Sequence, residues 1–114
     1  NIFGEYPLLL VFQALIFAPI VEELMYRGLL FGMLQKRSQM FAVFFSSFFF
    51  GMAHIYPSLL DGQYMDLFFL PTYFMLGFWL NRAYIKSKSL FTPVLIHFIN
   101  NAIGVFAIYL SSIL

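Results

Sequence analysis

The chain has no cysteine. Disulfides, thiolate metal sites and a cysteine nucleophile are therefore excluded. It is also short of charge: only 10% of its 114 residues are charged, against about a quarter in an ordinary soluble domain. Six basic and five acidic side chains cannot clothe a soluble globule of this size, because small bodies bury little of their surface. A disordered segment and a basic-faced nucleic-acid binder fall on the same count. The period-two alternation of an outer-membrane barrel is missing. So are the basic flank and small-residue cleavage site of a signal peptide, any internal repeat and any Gly/Ser linker. What is present is apolar bulk: 62% of residues are hydrophobic, 17 of them Phe. This composition implies an all-α, polytopic transmembrane helical bundle, integral to the membrane, with one domain over 1–114. The chain begins with Asn1 and is expected to be the core of a larger membrane protein.

A membrane crossing takes about 20 residues. On that scale four passes are expected: about Tyr6 to Leu34, Gln39 to Ile55, Asp66 to Tyr84 and Pro93 to Leu114. Ser38 is the expected N-cap of the second. Thr92 is the expected N-cap of the fourth, with Pro93 at its first helical position. Lys36 and Arg37 follow the first pass, and Arg82, Lys86 and Lys88 end the third. Asp61 and Asp66 occupy the intervening loop, which has no Lys or Arg. The positive-inside rule makes the basic side cytoplasmic.

Ionisable residues inside the bilayer cost about 2.5–3.5 kcal/mol each on insertion scales. Even so, the first pass carries Glu22, Glu23 and Arg27, the second His54, and the fourth His97, Asn100 and Asn101. Glu23 and Arg27 are four apart and can pair on one helix face. Glu22 points about 100° away from Glu23 and lacks that partner. His97 and Asn101 share a face, with Asn100 displaced from it. At 1.5 Å per residue, Glu22 lies roughly 20 Å from Lys36, His54 roughly 21 Å from Met40, and His97 and Asn101 roughly 13 and 19 Å from Lys88. Three helices thus bring polar groups to similar depth. Pro19, three residues before Glu22, frees a backbone carbonyl and bends a helix. Gly28 permits close packing or a break.

Three motifs run in order through these segments. Glu22-Glu23-Leu24-Met25-Tyr26-Arg27 fits EExxxR, with Pro19-Ile20 before it. Phe50-Gly51-Met52-Ala53-His54 fits FxxxH, preceded by Ser46-Ser47. His97-Phe98-Ile99-Asn100-Asn101 fits HxxxN. Together they resemble the CPBP family, which unites type II CAAX prenyl endopeptidases with bacteriocin-processing and self-immunity (Abi) proteins. The resemblance covers about Pro19 to Asn101. Tyr26, where Phe is frequent, is the departure noticed. The resemblance implies a glutamic intramembrane endopeptidase without a cofactor. Glu22 would activate the attacking water with help from His54, His97 and Asn101 would stabilise the oxyanion, and Glu23 and Arg27 would support the site. The implied partners are membrane lipids and a peptide or protein substrate at the membrane, with or without a lipid modification, and no nucleic acid. The implied location is a bacterial cell membrane, with the site open toward the cytoplasmic side.

The chemistry also stands on the residues. Hydrolysis needs a base for water, and an imidazole N–H and an amide at i and i+4 can point at one oxygen. Plainer roles exist for each group. Glu23–Arg27 is a structural pair before it is catalytic, Glu22 can bond the backbone freed by Pro19, and His97 with Asn101 can be interhelical glue. Two other functions compete. Glu22, His54 and His97 form a conceivable zinc set, since some zinc enzymes use His₂Glu, although HExxH is absent. A non-catalytic immunity or scaffold protein would keep the fold and not need Glu22.

Overall fold

The structure, a computed structural model, describes residues 7–114, and the expected start of the first pass at Tyr6 lies outside them. Four long helices form the bundle: α1 (Pro7–Leu34), α2 (Gln39–Leu60), α3 (Leu70–Ser87) and α4 (Phe91–Ile113). A 3-10 turn over Tyr64–Phe69 leads into α3. Among the described residues there is no strand.

Three of the four helices, α1, α2 and α4, are long and apolar enough to cross a membrane. α3, which covers the expected third pass, is the most polar of the four. This helix spends Asn81, Arg82 and Lys86 within its 18 residues. Asn81 is fully buried, so part of that polarity faces the bundle rather than lipid.

Local chemistry sets the boundaries. Ser38 caps α2, its Oγ accepting the Phe41 N–H at 3.0 Å. Pro71 lies in the first turn of α3, where its missing N–H costs nothing. Lys88 closes α3 in the left-handed region at φ 55°, donating its N–H to Tyr84 O. α3 runs Leu70–Ser87 where Asp66 to Tyr84 was expected, the residues before it forming the 3-10 turn, and limits of α2 and α4 move as well. α2 continues past Ile55 to Leu60 because Pro57 sits in its last turns without ending it. α4 starts at Phe91 with Leu90 as N-cap and no side-chain cap, so Thr92 is already helical. Ser89 Oγ instead takes the Phe91 N–H at 3.1 Å.

α1 is not a uniform helix. Gln13–Phe17 and Leu24–Phe31 are π-helical. Proline explains the first stretch. Ala18 donates to Gln13 O, five residues back. In that register the next donor should come from residue 19 to Ala14 O, but Pro19 has no N–H. A π-bulge passes the defect along the chain without breaking the helix.

α2 and α3 make the most extensive helix contact. Glycine permits it. A Cβ on Gly77 would lie 3.1 Å from Ser47 Cα and 3.2 Å from Phe50 Cδ1. One on Gly51 would lie 2.9 Å from Leu70 Cδ1 and 3.3 Å from the Phe74 nitrogen. The two backbones meet where side chains would hold them apart. Gly28 has no such neighbour, its nearest being Leu90 Cδ1 at 3.8 Å, so it permits more than it is asked to do.

Candidate active site

Glu22, His54 and His97 come together from α1, α2 and α4, as their estimated depths require. His97 Nε2 lies 3.1 Å from Glu22 Oε2, and His54 Nε2 lies 3.9 Å from the same oxygen. The His97 approach is off the hydrogen-bond line, so Glu22 Oε2 has no hydrogen-bond partner. The site has an open edge and a closed floor. Glu22 and His54 side chains are 30% and 25% exposed, whereas His97 is 2% exposed and Glu23 and Arg27 are fully buried.

The backbone and a carboxylate fix the two imidazoles. His54 Nδ1 lies 2.7 Å from Phe50 O. A carbonyl only accepts, so Nδ1 carries the hydrogen and the neutral ring presents a lone pair at Nε2. Tyr73 stacks on this ring at 4.8 Å between centroids, and Phe50 packs against it at 4.4 Å. His97 Nδ1 donates to Glu23 Oε1 at 2.9 Å. Both neighbours of the His97 ring are carboxylates. Nδ1 makes the hydrogen bond to Glu23, and Nε2 faces Glu22 Oε2 without one.

Arg27 anchors this arrangement. Its Nη1 reaches Glu23 Oε1 at 3.2 Å, its Nε reaches Asn81 Oδ1 at 3.0 Å, and its Nη2 reaches Gly77 O at 2.7 Å. Its guanidinium carbon also lies 5.1 Å from the centre of the Phe50 ring. Asn81 in turn donates to Ser46 Oγ at 2.7 Å and Ser47 Oγ at 3.0 Å. The expected Glu23–Arg27 pair is present as one link in a buried chain that runs from Ser46 and Ser47 to His97 and joins all four helices. Such a charge is tolerated in an apolar interior because each of its three nitrogens finds an acceptor.

Asn101 stands apart. Its Nδ2 donates to Ala14 O at 2.9 Å, the carbonyl that Pro19 leaves without a backbone donor. The residue expected beside His97 thus gives one of its two amide hydrogens to the shape of α1. Asn100 is exposed on the other side of α4. Sequence reasoning missed Asn81 and Tyr73. Asn81 is polar in an apolar helix and four residues from Gly77, but its neighbour Arg82 makes it look like a membrane edge. Tyr73 carries no polar spacing to mark it. Among the described residues, no group of three His, Asp or Glu is placed to hold a metal ion.

Comparison with known proteins identifies the family. Residues 4–103 match the family model described as type II CAAX prenyl endopeptidase, Rce1-like. A Bacillus subtilis (strain 168) protein described as "Putative membrane peptidase YdiL" is 30% identical over 96 residues, which is 83% of this chain and 35% of that relative. The "Membrane-embedded CAAX protease MroQ" of Staphylococcus aureus (strain USA300) is 30% identical over 98 residues, 80% of this chain and 36% of the relative. The chain therefore spans about a third of the length of these curated relatives. No solved structure matches it. With its three long apolar helices and a family match over most of its length, this is a membrane protein, and it belongs to the Rce1-like family of type II CAAX prenyl endopeptidases.

Proposed function

We propose that the chain is the core of an intramembrane endopeptidase in which Glu22 is the general base. The observation that carries this reading is a pair of acceptors just inside the open edge, on two side chains that are themselves part-exposed. Glu22 Oε2 has no hydrogen-bond partner, and the His54 Nε2 lone pair stands 3.9 Å away. That gap is too long for a direct bond; Oε2 itself is buried, so a small shift of the part-exposed Glu22 and His54 side chains admits one water that donates a hydrogen to each. Such a water has its own lone pairs free to attack a carbonyl carbon, and Glu22 takes its proton as the bond forms. Hydrogen on His97 Nε2 supplies a fixed donor next to the reacting centre. Asn101 has its second amide hydrogen for the oxyanion, the first being held by Ala14 O. Glu23 keeps the His97 ring oriented, and Arg27 keeps Glu23 in place.

The substrates are peptide segments at the membrane, lipid-modified or not. The site opens toward the cytoplasmic side, following the basic residues near Lys36, Arg37, Arg82, Lys86 and Lys88. The membrane is a bacterial one, as for both relatives. No cofactor is needed. One observation favours a zinc enzyme as the second reading: each imidazole has its Nδ1 anchored on an oxygen and its Nε2 turned toward Glu22, which is how protein shells prepare metal-binding histidines.

The full-length protein, reconstituted in lipid, should cleave peptides from a panel of prenylated CAAX and leader-type sequences. Glu22→Gln should lower the rate by about 10²–10⁴-fold while a strong zinc chelator leaves the wild type active. Loss of cleavage with the chelator moves the assignment to zinc. If the wild type cleaves nothing and Glu22→Gln preserves the cellular phenotype, the protein is the non-catalytic immunity or scaffold form.

A further inference from the structure

A groove of about 580 Å³ lies between α2 and α3 and shares no residue with the Glu22 site. Its walls are Val43, Phe44, Phe74 and Phe78, and its mouth carries Gln39, Arg82 and Lys86. From Phe74 to Lys86 the helix rises about 18 Å. That is close to one leaflet of a bilayer whose hydrocarbon core is roughly 30 Å thick.

The mouth is unbalanced in charge. Arg82 and Lys86 are four apart on one helix face, a spacing at which like charges repel. Both are exposed, and neither is in an ion pair among the described residues. Gln39 and Met40 open α2 at the same mouth, so the positive end of that helix adds to the two cations. Asp61 and Asp66 belong to the opposite ends of these helices. An apolar trough one leaflet long, ending in two free cations and a helix N-terminus, matches a ligand with a hydrocarbon tail and an anionic head.

We propose that this groove binds one anionic phospholipid from the leaflet on the basic side. An acyl chain lies along Val43, Phe44, Phe74 and Phe78, and the phosphate sits between Arg82, Lys86 and the start of α2. The lipid then acts as a wedge against the outer side of the α2–α3 pair.

The test is native mass spectrometry of the full-length protein from mixed phosphatidylglycerol and phosphatidylcholine of equal chain length. Wild type should retain one phosphatidylglycerol in preference to phosphatidylcholine. Arg82→Gln with Lys86→Gln should cut that preference by about tenfold. Lys36→Gln with Arg37→Gln removes the same charge from the same side, off the groove, and should leave it within about twofold. A phosphatidylglycerol with a photoreactive acyl chain should label the Phe74–Lys86 segment. Equal loss in both double variants overturns the proposal, because the preference is then bulk charge alone. No preference in the wild type overturns it too, as does labelling that maps another helix of the full chain, or a peptide, into the groove.

Discussion

Asn101 gives the sharpest test of how this bundle is built. Asn101→Ala removes the donor to Ala14 O, and Pro19 ensures that no backbone donor replaces it. A carbonyl left bare in a low-dielectric interior costs about 1–3 kcal/mol. Pro19→Ala restores an N–H at the position that the π register aims at Ala14, since Ala18 already donates five residues back to Gln13. The single change at Pro19 should alter stability by less than about 1 kcal/mol. The double variant should recover most of the Asn101 loss, giving a coupling of about 1–2 kcal/mol. Reversible unfolding in mixed micelles, followed by tryptophan fluorescence from Trp79, reads all four corners of the cycle. Cleavage by the same four proteins separates shape from chemistry: an oxyanion donor lost at position 101 is not restored by Pro19→Ala. Additive stability losses would falsify the link between Pro19, Ala14 and Asn101.

Arg27→Met should destabilise the protein by about 3–5 kcal/mol, because Glu23 stays buried and loses its cation. Adding Glu23→Gln should recover part of that loss in the same unfolding assay, and no recovery would disprove the pairing. Gly77→Val should separate α2 from α3 and cost at least about 1–3 kcal/mol of overpacking, since even one Cβ would meet Ser47 Cα at 3.1 Å; a wild-type melting curve contradicts it. Tyr73→Leu removes the stacking partner of His54 but none of its hydrogen bonds. Its turnover should fall more than its stability, and steady-state cleavage beside thermal melting decides the point.

The depth of the site was readable because residues can be counted back from the basic ends at a near-constant helical rise, and the π-helical stretch of α1 over Leu24–Phe31 did not keep the three groups apart. Glu22, His54 and His97 could be levelled from the basic ends alone, and Glu23–Arg27 followed from the spacing. Direction around the helix was less readable. Pro19 shifts α1 into π register and brings Ala14 O within reach of Asn101, so the i, i+4 relation of Asn101 to His97 does not decide its partner. Asn81 was invisible for a different reason. The donor to its Oδ1, Arg27 Nε, lies 54 residues away, and the close packing at Gly51 and Gly77 brings them together. Helix ends at Leu60 and Phe91 escaped because Pro57 and Thr92 look like punctuation in sequence and are absorbed by neighbouring turns.

Every side chain of the candidate site projects from a helix, and its supports, Arg27, Asn81, Tyr73 and Glu23, do so too. The linkers at Lys36–Ser38 and Asp61–Gln63 contribute no group to it. Chemistry and connection are therefore separable in this architecture. Turns can lengthen, acquire charge or change partners over evolution, or be recast by an engineer, and the reacting groups keep their spacing as long as the four rods stay in register.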